Sequence, residues 1–336
     1  AWNDFFPGTS PTNLPSQTYT YRQTPSNTYL YVLNCLFSSI TSTGNGGALY
    51  CTSTYLLVES TSFFSCKTSS GRAGAIYFEN SGGQCVLNEV CGYDCCTKDN
   101  NYPQFVYTYV KNDISSKNYI NYSSISRCVN ENAWHILVVY CGKNLCSSVN
   151  ISNNKCLGDS VVCFPLSYSN TVTCSFSYSS FADNYATNYN CLILWTSGAE
   201  YEIKSCNILR NTQGTLSLYG TIATNGNMKI MDSCILENVA DYIFYQHSSS
   251  YRITLSNCTV DKTTYNRNLV IQNTVTKSFI LALNHLSTQN CHSEYDSAGY
   301  LTPILQTPSS SKKQKDYCAC EKYFHQFRLR NCVSLI

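Results

Sequence analysis

Twenty-one cysteines are the residues of this chain with the most chemistry to offer, since a thiol can pair, bind a metal or attack an electrophile. Such a number suits an oxidising compartment, because cytosolic thiols are held reduced. The count is odd, so one cysteine at least has no partner within its own chain. Cys85, Cys91, Cys95 and Cys96 crowd together, and with Cys318, Cys320 and Cys332 they are the disulfide candidates. Cys206, Cys234 and Cys258 recur at spacings of 28 and 24, which suits buried thiols as well as cross-links. Cys318, Cys320, His325 and Cys332 offer four ligands, but their spacing follows no common zinc pattern. The expectation is therefore no metal and no cofactor.

Catalysis on a polysaccharide needs paired carboxylates, one holding a proton while the other acts as base or nucleophile. The chain has only 20 Asp and Glu, and they are scattered. Their densest group, His292, Glu294 and Asp296, reads as a solvated end loop. No nucleophile elbow or phosphate loop is present. No catalytic residue is assigned, and the chain is expected not to be an enzyme; a polysaccharide-binding or polysaccharide-cleaving protein is the alternative. Tyr50, Tyr77, Tyr140, Tyr219 and Tyr245 could stack on sugars, or simply on one another along a sheet.

Charge narrows the partners. Charged residues are 12% of the chain and the net charge is +2, too little field to attract nucleic acid or an anionic membrane. No run approaches the length of a spanning helix. Asn121, Asn150 and Asn257 open N-x-S/T tripeptides and are glycosylation candidates. The sequence starts at Ala1 without Met or a leader, as expected of an extracellular or cell-surface chain whose signal has been removed.

The elements that must hold these groups are repeats. Residues 36–50 (LFSSITSTGNGGALY) and 63–77 (FFSCKTSSGRAGAIY) match at 8 of 15 positions with an offset of 27. Later copies keep a looser grammar: a cysteine, an apolar-x-x-Asn step, a polar turn and an apolar strand. The steps are Val129 to Asn132, Phe181 to Asn184, Ile208 to Asn211 and Ile235 to Asn238. The strands that follow them are Ile136–Tyr140, 192–195, 216–219, 242–245 and, after Cys258, 269–272. Apolar runs this short, β-branched and bounded by Gly, Ser and Asn, are strands. A period near 27 suits three strands and three turns per coil. Stacked asparagines could then hydrogen-bond as a ladder. The fold predicted is an all-β, right-handed parallel β-helix, a solenoid of about ten coils with an extended N-terminal arm and a Cys-rich C-terminal tail.

GGAL (46–49), AGAI (73–76) and FADN (181–184) resemble two motifs of chlamydial polymorphic outer-membrane proteins, GGA followed by Ile, Leu or Val, and F-x-x-N. Similar cysteine-rich repeats occur in trichomonad surface families. The resemblance implies a β-helical surface protein used in adhesion or envelope architecture. In later coils Val, Ile or Leu replaces Phe and GGA disappears.

Three regions follow: an arm over 1–28, the β-helix over 29–300, and a linker with a Cys-rich cap or hook over 301–336. Trp2, Phe5 and Phe6 are too apolar for a disordered tail and are candidates for an assembly arm. The expected partners are further copies, in a filament or surface layer, or a cell-surface or glycan ligand.

Overall fold

Short apolar runs, each broken by a residue that accepts positive φ, wind this chain into coils. The computed structural model describes residues 1–98, 102–168, 170–189, 191–214 and 219–277. They form an all-β, parallel β-solenoid of about eight turns, with one four-residue helix, Trp2–Phe5. The count of about ten coils runs to residue 300, beyond the described residues.

One coil shows the construction. Tyr29–Leu33 lies on a first face, Asn34 (φ 52°) turns the chain, and Leu36–Ser38 lies on a second face. Ser39 (φ 55°) turns it again into the short strand Thr41–Ser42, and Leu49–Cys51 makes the third face. The first and second faces join in one 19-stranded sheet because Tyr55–Phe64 and Gln84–Tyr93 run through the corner unbroken. The third face is an eight-stranded sheet, one strand per coil. Among the described residues the register spacing between neighbouring coils runs from 16 residues (Ile253 to Leu269) to 33 (Cys85 to Asn118).

Both corners repeat their left-handed residue in coil after coil. The first passes through Asn34, Ser60, Glu89, Tyr122 and Ser148; the second through Ser39, Ser65, Asp94, Arg127 and Asn153. A non-glycine residue there carries a steric cost of about 1–2 kcal/mol, so the side chains beside it must hold the turn. At the first corner a hydroxyl alternates with an apolar group: Cys35, Thr61, Val90, Ser123, Val149, Ser179, Cys206, Ser233. Each hydroxyl accepts the amide of the residue one coil earlier. Val90 N donates to Ser123 Oγ (3.0 Å), Val149 N to Ser179 Oγ (3.1 Å) and Cys206 N to Ser233 Oγ (3.1 Å).

The second corner carries the asparagine ladder. Its inward column reads Ile40, Cys66, Cys95, Cys128, Asn154, Asn184, Asn211, Asn238, all buried. Asn154, Asn184 and Asn211 each donate Nδ2–H to the Oδ1 of the next asparagine at 3.0 Å. The backbone N–H of each goes to that same oxygen, at 3.0–3.2 Å. Their second Nδ2–H reaches a carbonyl one coil back, that of Ile125, Ile151 or Phe181. Thus the steps at 181–184, 208–211 and 235–238 are placed as the sequence predicts. The step at 129–132 is a correction: Asn132 is exposed, and the column position of that coil is Cys128.

Register supplies a second correction. The offset of 27 holds from Leu49↔Ile76 to Cys51↔Phe78, but Phe37 pairs with Phe63 and Thr41 with Lys67, an offset of 26. One extra residue therefore sits in the intervening turn. Phe63 points inward and stacks on Phe37 (centroids 4.7 Å, 5°), while Phe64 points out.

The N-terminal region is partly rung and partly cover. Thr12–Leu14 pairs in parallel with Tyr29–Leu33, and Thr18–Tyr19 with Leu36–Ser38. Trp2 and Phe6 are buried over Leu57 and Val86 on the outside of the first face, with Phe5 beside them. Trp2 Nε1 donates to the Thr9 carbonyl (3.1 Å), and Phe6 stacks on Tyr55. The linker and Cys-rich region over 301–336 lie outside the described residues.

Candidate functional site

The outward side of the third face gathers the aromatic residues. Strand alternation sends Leu49, Ile76, Val106 and Leu137 inward and their neighbours Tyr50, Tyr77, Tyr107 and Val138 outward. Tyr50 and Tyr77 stack at 5.6 Å and 6°, Tyr77 and Tyr107 at 5.0 Å and 10°, and Tyr140 and Phe164 at 4.3 Å and 4°. Rings this parallel give their faces to each other, and a sugar needs a ring face, so these stacks serve the sheet. Arg22 lies over Tyr50, and Arg72 over Tyr107 and Tyr102. Burial pushes the Tyr77 hydroxyl well above its ordinary range, and its hydrogen bond to Glu79 adds to this. Burial takes Tyr107 up to about 12.

At the edge of this face sits a pair that linear spacing does not reveal. His135 and Asp159 are register partners on adjacent coils, with Nδ1 3.5 Å from Oδ2. Beside them Trp134 stacks on Tyr189 (5.4 Å), which stacks on Tyr219 (5.6 Å). Among the described residues the buried His135 Nδ1 has no hydrogen-bond partner. Burial pushes the imidazolium down to about 4, and a backbone contact at Asp159 offsets this only in part. The unfolded chain, at about 6.5, then binds the proton more readily than the folded one. Stability contributed by neutral His135 is present above about pH 6.5 and is lost as the pH falls toward about 4. A fifth of the side chain still meets solvent, which reduces the effect to about 1–3 kcal/mol. Urea midpoints at pH 7 and 4.5 should therefore differ more for the natural chain than for His135→Gln; equal differences refute the assignment.

The cysteines are mostly interior. Cys85, Cys95 and Cys96 are thiols, which corrects the expected pairing within that cluster; Cys91 is disulfide-bonded. Geometry gives the reason. Cys95 points into the core column beside Cys66 and Cys128, its neighbour Cys96 points the other way, and Cys85 lies inside the first face between Leu56 and Asn118. Cys206 and Cys258 share the first-corner column, but Cys234 follows Ser233 by one residue and points outward, so the three are not one column. Burial raises Cys206 to about 12 and Cys234 to about 11. A thiol that is neither ionised nor accessible does not react. Alkylation of the native protein followed by peptide mapping should label half-buried Cys96 and Cys141 ahead of every other described thiol. Equal labelling of Cys85 or Cys206 contradicts this packing.

Of the tripeptide asparagines, Asn257 is exposed, Asn121 is half-buried and Asn150 is buried. His292, Glu294 and Asp296, and Cys318, Cys320, His325 and Cys332, lie outside the described residues. Among the described residues no three His, Cys, Asp or Glu gather as metal ligands, and no helix is long and apolar enough to cross a membrane. Sequence reasoning missed His135–Asp159 and the Arg22 and Arg72 placements. Only an alignment of coils at their true, variable lengths brings these groups together. No protein-family model, no curated protein and no solved structure matches the chain.

Proposed function

We propose that this chain is an extracellular, non-catalytic structural β-helix of the surface-protein kind, joining end to end with its own copies. The last described rung carries the reading. Among the described residues Leu269–Ile271 pairs only with Ile253–Ser256, and Tyr265, Val270 and Ile271 are 52%, 41% and 43% exposed. At the other end Thr12–Leu14 pairs, among the described residues, only with Tyr29–Leu33. Unpaired edges recruit further strands. Because the strands are parallel, the last rung of one copy meets the first rung of the next in the same direction. Such head-to-tail contacts do not close and yield filaments. In this reading the winding is right-handed, as parallel crossovers almost always are, and the coils number about ten. The 1–28 arm and the Cys-rich tail then contribute to the joints.

Sedimentation and negative-stain microscopy of the full chain test it. Concentration-dependent filaments that vanish in Ile271→Lys, with unchanged circular dichroism, support end-to-end joining. Uniform particles of one molecule's length at all concentrations remove it. Material from a secretory host should carry glycan on Asn257 and none on Asn150.

A glycan-binding adhesin is the second reading, favoured by Tyr122 and Tyr178. They stand two coils apart on the first corner, 45% and 42% exposed, and neither stacks on another ring among the described residues. Loss of glycan retention in Tyr122→Ala and Tyr178→Ala, with the fold intact, would support it.

A further inference from the structure

Where the third face turns back into the first, two inward positions meet across the corner of each coil. On the third face the column runs through Thr108, Val139 and Cys163; on the first it runs through Asn118, Asn144 and Cys174. The two positions touch in the first of these coils, where Thr108 Oγ1 donates to Asn118 Oδ1 (2.9 Å). Two coils later both are cysteine, both are 0% exposed, and the two thiols share a hydrogen bond.

These two corners also carry long connections. Nine residues, 109–117, separate Thr108 from Asn118, and ten, 164–173, separate Cys163 from Cys174. Only four, 140–143, separate Val139 from Asn144 in the coil between. A longer connection costs more entropy to close, and a side-chain tie across its base offsets that cost. Cys66 and Cys95 also touch, but as stacked neighbours in one column. Their Cβ atoms stay about one strand spacing apart, about 4.8 Å, wider than the about 3.5–4.5 Å that a disulfide prefers. Each of those thiols also donates to a carbonyl, that of Phe37 (3.5 Å) or Phe63 (3.4 Å). Cys163 and Cys174 instead point at each other from different faces.

The structure holds this pair as thiols. We propose that Cys163 and Cys174 are joined by a disulfide as the chain folds, a covalent staple across the third corner. One cysteine thiolate attacks a donor disulfide, on a small molecule or an oxidoreductase, and releases one donor thiol. The second cysteine then displaces the other donor sulfur. Two electrons pass to the donor, and the two thiol protons end on its two sulfurs. In the closed corner the shared hydrogen bond and burial hold the Cys163 thiol well above its ordinary range. Exchange therefore precedes closure.

In the cell the oxidant comes from the extracellular reading; in the test glutathione disulfide supplies it, so the two fail separately. The full chain, unfolded and reduced, is refolded with glutathione and its disulfide, alkylated, and cleaved in acid without reduction. Monomer should yield a Cys163–Cys174 cross-linked peptide. Alkylation of both cysteines, or their joining to other partners, overturns the staple. Urea unfolding gives a second reading. The refolded natural chain should have a higher midpoint than after reduction with dithiothreitol, and Cys174→Val should shrink that difference. An unchanged difference overturns the staple, and if the variant does not fold the peptide map of the natural chain decides alone.

Discussion

Asn184→Ala is expected to lower the free energy of unfolding by about 3–4 kcal/mol, read as a drop in urea midpoint at unchanged slope. The side chain makes four interactions in a site closed to water. Its Nδ2 donates to the Ile151 carbonyl (2.8 Å) and Asn211 Oδ1 (3.0 Å), and its Oδ1 accepts from Asn154 N (3.2 Å) and Nδ2 (3.0 Å). Truncation strands the Asn154 donors and the Ile151 carbonyl in the interior, where each unmet group is costly. Asn238, the last of the ladder, accepts from Asn211 and donates to the Ile208 carbonyl (2.7 Å), so Asn238→Ala should cost less, about 2 kcal/mol. Asn184→Cys should recover part of the loss, because the same column holds Cys66, Cys95 and Cys128 in earlier coils. A cost below about 1 kcal/mol at Asn184 would show that the ladder does not hold the corner.

The ladder also shows how far the sequence could be read. The Asn positions at 184, 211 and 238 are legible because an apolar residue three positions earlier fills the core beside each. The same column is illegible at Cys128, where a different residue type fills the position and Asn132 offers a false match. Corners are harder still. Tyr122, Arg127, Tyr178 and Arg210 adopt φ between 48° and 55°, and none of these residue types favours that region on its own. The stacking of neighbouring coils imposes it, and no local signal could. Coil lengths that vary between 16 and 33 residues hide the rest, since a one-residue slip turned Phe64 into the apparent partner of Phe37 and Cys234 into the apparent partner of Cys206.

Gly74→Ala should be a severely damaging single-methyl change, costing about 3 kcal/mol or more in urea unfolding. Gly47 and Gly74 occupy one column where consecutive coils touch backbone to backbone. Gly47 N donates to the Ala73 carbonyl (2.8 Å) and Gly74 N to the Gln104 carbonyl (2.6 Å). A Cβ on Gly74 would lie 2.4 Å from the Cys96 carbonyl oxygen and 2.6 Å from that of Cys66. Neither is a flexible side-chain end, so two coils must separate. Positive φ is not the reason here, because the left-handed glycines of this turn are Gly44, Gly46 and Gly71. The motif lapses in the next coil for a related reason. Gln104 takes the column position and sends its side chain to the carbonyls of Asn130 (3.1 Å) and Lys155 (2.6 Å), filling the space that the glycines leave to backbone. Gly82→Ala is the control. Its nearest foreign atom would be Asn80 Oδ1 at 3.5 Å, an ordinary contact, so its midpoint should stay within about 0.5 kcal/mol of the natural chain. Equal tolerance at Gly74 and Gly82 would mean that the first coils are not in backbone contact, and the reading of GGA as a stacking motif would fail with it.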